Sequence, residues 1–301
     1  MAKRKIAIIF SAILLLVSIG SIVTKGLNLG VDFTGGTVIQ VAYPEPADIT
    51  KIRDTLEADG FDAAVQPFGT AHDVLIRLPE QKDTEVAQVS VKVLETLRAV
   101  EPDVEMRRVE SVGPQIGDEL RDQGGIAMLL ALAGILIYIA LRFELRFSLG
   151  SIIALVHDVI VTIGFFSITG IEFDLTILAA VLAIIGYSLN DTIVVFDRIR
   201  ENFLKLRKAD AESSIDTSIN ETLSRTLVTS FTTLIVVVSL FVFGGEIIHG
   251  FSIAMLVGIV IGTYSSIYVA SSSLLVMGVT REALLPPPKD DEVDEELDAI
   301  P

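Results

Sequence analysis

The sequence predicts an α-helical polytopic membrane protein with six transmembrane helices and an α+β domain outside the membrane. Its 301 residues are 51% hydrophobic, and a mean hydropathy of +0.61 exceeds that of soluble domains. Six apolar stretches approach or exceed the roughly 20 residues that a membrane-spanning helix needs. Between the first and second stretches, a polar insert at residues 25–123 alternates strand-like and helix-like patterns. Together these observations divide the chain into a membrane-embedded part and one folded domain inserted between the first two spans.

The negative charge is concentrated in two blocks. Of the formal net charge of −16, the insert carries −9 and residues 282–301 carry −7. Because acidic blocks repel phosphates, nucleic acid is excluded as a partner. The absence of cysteine and the scatter of three histidines indicate neither a metal site nor a cofactor. Residues 282–301 are predicted to be an acidic, disordered cytoplasmic tail.

The first span is expected within residues 1–24, as an N-terminal anchor. The apolar run from residue 6 to residue 24 follows three basic residues, Lys3–Lys5. This start resembles a signal peptide. However, the run is long and no A-x-A-like cleavage site precedes Lys25, so we expect the anchor to remain uncleaved.

The insert at residues 25–123 has the order of a ferredoxin-like domain, β-α-β-β-α-β. Period-2 and period-3.6 patterns define the segments. They are Thr37–Tyr43, Ala47–Asp59, Phe61–Phe68, Val74–Leu78, Thr84–Val100 and Val104–Val112. No set of side chains suited to bond-making chemistry occurs here. A folded module with sheet edges is suited instead to binding a polypeptide.

Two motifs mark the points where the insert meets the membrane. GVDFTGG occupies residues 30–36 and SVGPQIGDEL occupies residues 111–120. Glycines permit tight turns at such points, and an aspartate can cap a turn. A purely structural role and a hinge role both stay open. The candidate hinge residues are Gly30, Asp32, Gly35, Gly36, Gly113, Pro114 and Gly117.

Residues 124–281 are predicted to form a bundle of five further helices. Their spans are 124–141, 149–169, 174–196, 226–243 and 250–277. The polar, basic segment Arg198–Ser214 is expected as a solvated loop. Gly258 and Gly262 form a GxxxG pattern that allows close helix packing, either within the chain or toward a partner.

Basic residues predict the orientation of the spans. Lys and Arg cluster before the first span, between the second and third, between the fourth and fifth, and after the sixth. The opposite loops, 170–173 and 244–250, contain none. Both termini are therefore expected in the cytoplasm, with residues 25–123 outside a multi-pass cytoplasmic membrane protein.

Asp191, beside Asn190, lies within the apolar fourth span. An unpaired charge in a bilayer costs at least about 2.5–3.5 kcal/mol, so intramembrane charges are usually functional. Asp158 in the third span and Arg225 at the start of the fifth are its candidate neighbours. An aspartate whose charge depends on a movable partner can relay protons, whereas a static Asp–Arg pair would only pin helices. The residues by themselves leave both hypotheses open.

The two root motifs, together with GYSLNDTIVVFDRIREN at residues 186–202, resemble the SecF branch of the SecD/SecF protein-export family. The resemblance runs in order from the anchor to the sixth span, and Phe33-Thr34 fits SecF better than SecD. The six-span half is also similar to half of an RND-superfamily transporter.

The resemblance implies a membrane protein that uses the proton gradient to drive late-stage export of secreted polypeptides, and not an enzyme. It implies SecD as the other half, association with the SecYEG channel and, in many bacteria, YajC. It also implies that Asp191 and Arg225 take part in proton conduction, with Asn190 in the same motif. Asp158 is a weaker candidate because His157 provides it with a hydrogen-bond partner.

Two rival functions remain. The first is half of an RND-type exporter of small molecules or lipids, which the short insert and the six spans disfavour. The second is a scaffold that stabilises the translocase without transport.

Overall fold

A computed structural model describes residues 3–79, 86–206 and 209–280. It confirms the predicted fold class, with six long apolar helices and one small antiparallel sheet. The predicted tail at 282–301 lies outside the described residues, as do Arg207, Lys208 and Arg281.

The chain enters the sheet domain through a helix and a single helical turn. Helix α1 comprises Arg4–Lys25, and the turn α2 comprises Val31–Thr34. The domain then follows as β1 Gly36–Ala42, α3 Ile49–Ala58, β2 Ala64–Phe68, β3 Thr70–Leu78, α4 Val86–Val100 and β4 Glu105–Val112. This is the predicted β-α-β-β-α-β order.

The four strands form an antiparallel sheet in the order β2-β3-β1-β4. Helices α3 and α4 cover one face, where Leu56 and Val93 are fully buried against Ile39 and Ile76 of the strands. The hairpin differs from the prediction, because β3 begins at Thr70 and not at residue 74. Gly69 adopts a φ of +72°, which permits a reversal tighter than the predicted four-residue turn.

The membrane body consists of long helices with short connections. These are α5 Pro114–Arg142, α6 Leu145–Thr169, α7 Leu175–Lys205, α8 Ala211–Phe243, α9 His249–Ser265 and α10 Ser271–Val276. A π-helical turn at Ser266–Ala270 joins the last two into one span.

Several helices extend beyond the apolar stretches that predicted them. Helix α5 begins ten residues before position 124, within the second root motif. The expected loop Arg198–Ser214 is largely helical, because α7 runs to Lys205 and α8 begins at Ala211. Hydropathy detects only the apolar part of a helix that lies in lipid. The polar turns at the ends of α5, α7 and α8 extend beyond that part. The Asp210 carboxylate caps α8 by accepting a hydrogen bond from the Ser213 N–H at 3.2 Å.

The GxxxG pattern serves packing within the chain. A Cβ atom added to Gly258 would lie 2.3 Å from Ile184, and one added to Gly262 would lie 3.0 Å from Ser188. Helix α9 therefore packs closely against α7. The outer faces of α5 and α8 instead expose large apolar side chains, including Leu129 and Phe231.

Charged residues gather at the end of the bundle that lies away from the sheet domain. Arg4 pairs with Glu212 at 3.1 Å, and Arg142 pairs with Asp197 at 2.8 Å. Arg4 and Arg142, two of the basic residues that predicted the cytoplasmic side, thus share one end of the bundle.

Candidate functional site

Asp191 lies on the buried face of α7 and is 4% exposed. Ser188 is also buried and shares this face, because residues three apart align on a helix. The Oδ2 atom of Asp191 is buried and has no hydrogen-bond partner among the described residues. A buried polar atom without a partner is costly, so this carboxyl group is the first candidate for chemistry in the membrane body.

Arg225 lies on α8 with an exposed side chain. Its positive charge acts on the Asp191 carboxyl group, but no salt bridge within 4.0 Å joins the two described side chains. The neighbouring Thr226 is fully buried, and its hydroxyl also acts on the Asp191 carboxyl group, although its Oγ1 atom makes no hydrogen bond of ordinary length to the described residues. In this conformation the Asp–Arg pair is therefore separated and does not form a direct ion pair.

Arg225 borders an open groove of about 320 Å³ between α7 and α8. The groove lies at the end of the bundle that carries the clustered charges. Arg198 and the acidic residues Asp197, Glu201 and Glu221 also line it. Arg198 pairs with Glu201 and Glu221, and Asp197 pairs with Arg142.

Asn190 does not face Asp191. Its side chain is exposed on the outer surface of α7, because consecutive residues of a helix point about 100° apart. Adjacency in sequence does not bring these two side chains to one site.

Asp158 is 1% exposed on α6 and has partners on both carboxyl oxygens. Its Oδ2 accepts a hydrogen bond from the Ser188 hydroxyl at 2.5 Å. Its Oδ1 lies 2.9 Å from His157 Nδ1. Ser188 was not a sequence candidate, although its spacing of three from Asp191 was a usable signal.

The first root motif contacts the start of α7, the helix that carries Asp191. Asp32 Oδ2 accepts a hydrogen bond from the Leu175 N–H at 3.1 Å, and Asp174 Oδ1 accepts one from the Ile177 N–H at 2.8 Å. Two carboxylates thus cap one helix N-terminus, where negative charge is favoured. Burial raises the pKa of the Asp174 carboxyl group, and nearby Asp32 acts in the same direction.

The sheet domain also holds the loop before α7. Arg77 of β3 forms a salt bridge with Glu172, and Gln66 of β2 donates to the same carboxylate at 3.3 Å. Arg77 also donates to the Leu29 carbonyl at 2.9 Å. Sequence reasoning missed Glu172 and Arg77, since nothing in their spacing links a strand to a loop about a hundred residues away.

The hinge candidates lie together at this junction. Gly30 donates its N–H to the Phe173 carbonyl at 2.9 Å, and Gly35 ends α2. Gly113 precedes α5, which begins at Pro114. A Cβ atom at Gly117 would lie 3.0 Å from the Gly35 nitrogen. The two root motifs therefore pack against each other.

Comparison with known proteins identifies the family. The family described as protein export membrane protein SecD/SecF, C-terminal, matches residues 92–280, and the SecD/SecF GG motif matches residues 20–43. A protein translocase subunit SecF from Vibrio alginolyticus is 51% identical, with 100% of this chain and 96% of that protein covered. The chain belongs to the SecF branch of the SecD/SecF family. It is a multi-pass membrane component of a protein translocase.

Other relatives agree with this family. A SecF subunit from Pseudomonas aeruginosa is 50% identical over 98% of this chain and 96% of its own length. The crystal structure of SecDF, a translocon-associated membrane protein from Thermus thermophilus, has a TM-score of 0.83 and 38% identity. The match covers 92% of this SecF-type chain but 38% of the SecDF chain.

Proposed function

We propose that this chain, with SecD, uses the proton gradient to drive the late stage of polypeptide export across the cytoplasmic membrane. The observation that carries the proposal is the buried Asp191 carboxyl group with an unpartnered oxygen, in a chain of the SecF branch. Such a group can gain or lose a proton when its surroundings change, which a static ion pair cannot do.

The clustered basic residues support an orientation with both termini in the cytoplasm. The acid-lined groove beside Arg225 then opens toward the cytoplasm, and the sheet domain lies outside. In this arrangement a proton reaches Asp191 from the outer half of the bundle and leaves through the groove. The separated Arg225 is available to pair with Asp191 once the proton has left.

Helix α7 supplies a mechanical link between proton binding and the outer domain. Asp191 and the capped residue Leu175 belong to one continuous helix, about 24 Å apart at 1.5 Å per residue. A shift of α7 therefore moves the contacts of Leu175 with Asp32 and of Glu172 with Arg77. Those contacts reach the first root motif and the sheet.

The proposed partners are SecD as the second half, the SecYEG channel, YajC, and secreted polypeptides as substrate. The SecDF crystal structure supports SecD most directly, because this chain matches 38% of that longer chain. The exposed apolar faces of α5 and α8 suit lipid or such a second half.

The proposal predicts that export supported by this chain depends on the proton gradient. Membrane vesicles that contain this chain and SecD should complete translocation of a preprotein faster when a proton gradient is imposed. Release of the mature protein is measured with and without an ionophore. A scaffold would support equal rates in both conditions, and that result would refute the proposal.

The salt bridge between the sheet and the α7 loop should be needed for coupling. Arg77 and Glu172 are less than one-fifth exposed, so Glu172→Gln should slow gradient-driven export about fivefold, or about 1 kcal/mol. Assembly with SecD should not change. Arg77→Gln should have the same effect, and the double variant should be no slower than either single variant.

A matched control for this prediction is Glu110→Gln. Glu110 pairs with Arg108 on the same strand, and both are about half exposed, so the pair stays within the sheet domain. Equal export rates for Glu172→Gln, Glu110→Gln and the unchanged chain would show that the Arg77–Glu172 contact transmits nothing.

A further inference from the structure

A second buried polar cluster lies one turn of α7 from Asp191. It consists of His157, Asp158 and Ser188, none of which is more than 2% exposed. His157 and Asp158 belong to α6, and Ser188 shares the buried face of α7 with Asp191. The proposed function assigns no role to His157.

The tautomer of His157 is assigned from the contacts of Asp158. Asp158 Oδ2 accepts the Ser188 hydroxyl at 2.5 Å, and Asp158 Oδ1 lies 2.9 Å from His157 Nδ1. With Asp158 assigned as an ionised carboxylate, both of its oxygens accept, so Nδ1 is the donor and Nε2 keeps a free lone pair.

His157 Nε2 is buried and has no partner among the described residues. A buried acceptor without a donor is rare and calls for an explanation. Asp158 behind the ring holds this tautomer and would stabilise the imidazolium that forms when Nε2 binds a proton. The cluster thus contains a vacant proton acceptor and its counter-charge.

Few other titratable groups face the ring. Tyr264 of α9 lies with its ring centroid 6.4 Å from that of His157 and stacks at 5.5 Å on Tyr268. From α1, the Ser11 hydroxyl and the Ala7 carbonyl form hydrogen bonds with Tyr264, and Phe10 packs edge-to-face against its ring. On α7 and α8 the charged groups of the bundle interior are Asp191 and, at its border, Arg225.

The cluster lies on the outer side of Asp191. Helix α6 runs outward from Leu145 to Thr169, and α7 runs inward from Leu175, so Ser188 precedes Asp191 on the inward path. Thr162, one turn outward from Asp158, is fully buried and its Oγ1 also lacks a partner among the described residues. Buried polar atoms without a partner among the described residues thus occur on Thr162 and His157 of α6 and on Asp191 of the adjoining helix α7.

We propose that His157 Nε2, positioned by Asp158, binds the incoming proton and passes it to Asp191. This inference rests on the proposed function and adds a residue to it. The proton binds at Nε2 to form the imidazolium, leaves to the Asp191 carboxylate, and returns the ring to its neutral form. Asp158 remains ionised throughout and acts as a positioning residue.

His157→Asn tests this role, because its amide N–H can still donate to Asp158 while no titratable nitrogen remains. In proteoliposomes that contain the chain and SecD, proton flux and gradient-driven export should fall at least about tenfold. Loss of a single proton-transfer group is enough to slow a reaction by that factor. Ser188→Ala keeps the imidazole and should retain most of the flux but shift its pH profile.

A direct measurement does not depend on transport. The chain contains three histidines, so labelling it with ¹⁵N-histidine and replacing His72 and His249 by Asn isolates the signal of His157. In the complex with unlabelled SecD, its Nε2 should change from unprotonated to protonated as the pH is lowered. Asp158→Asn should abolish that change.

The outcomes separate this inference from the proposed function. If Asp191→Asn stops export while His157→Asn transports protons and polypeptide like the unchanged chain, His157 is not a carrier and the proposed function stands. If His157→Asn fails to assemble, the NMR titration decides, and a ring that keeps one protonation state refutes the inference. If Asp191→Asn exports normally, the proposed function itself fails.

Discussion

Replacing Asp191 by Asn is expected to abolish proton-driven export. Asparagine has the same shape as aspartate but cannot bind or release a proton, and its amide removes the buried charge that Arg225 acts on. The export rate with an imposed gradient should fall to the rate without a gradient. Without a titratable group at this position, proton movement is no longer coupled to export. The whole gradient-driven part of the export rate should therefore be lost.

Subunit replacement in membrane vesicles measures this effect, with SecD co-purification as the check on assembly. Asp122→Asn is a suitable control because it makes the same chemical change at an exposed position of α5, where the side chain is 73% exposed. We expect the control to export normally. Gradient-stimulated export by Asp191→Asn would remove Asp191 from the mechanism and favour the scaffold.

Replacing Gly36 by Ala is expected to disrupt the junction between the sheet and the membrane body. Gly36 has a φ of +126°, and an added Cβ would lie 2.6 Å from the Leu78 carbonyl oxygen. That oxygen belongs to the backbone of β3, which pairs with β1 from Thr37 to Ala42 and has little freedom to move. Backbone strain alone costs roughly 1–3 kcal/mol, and the contact adds to it.

Protease sensitivity of the purified protein at the junction measures the effect, together with its unfolding temperature. Gly113→Ala in the second root motif is the matched control, since Gly113 has a φ of −67° and no atom within 4 Å of an added Cβ. We expect this control to change stability by at most about 0.5 kcal/mol. Equal behaviour of the two variants would show that the Gly36 geometry is not required.

The sequence predicted the helices well and their ends poorly. Hydropathy located the apolar centre of every span, but the polar turns from Pro114 to residue 123 and from Ala211 onward carry no such signal. The turn at Ala211 is capped by Asp210, and the turn after Pro114 packs against the first root motif at Gly35. They therefore become visible only when the chain is folded.

The neighbours of Asp191 show the same limit. Adjacency suggested Asn190, which is exposed. Ser188, three residues from Asp191, was not a candidate, yet it is buried and donates a hydrogen bond to Asp158. Spacing along one helix is readable from sequence. Which residue of another helix meets that face is not, and Thr226 became a neighbour only through the packing of α8 on α7.

The sequence by itself determined the number of spans, the order of the outer domain and the charge that is costly in the membrane. These properties depend on local periodicity and on the free energy of transferring each residue from water to the membrane, which is a property of the residue itself. Only the tertiary structure decided that Asp191 and Arg225 are separated, that Asp158 is fully hydrogen-bonded, and that Asp32 and Arg77 hold the start of α7. Such contacts join segments far apart in the chain, and their energy arises from packing geometry that no single segment contains.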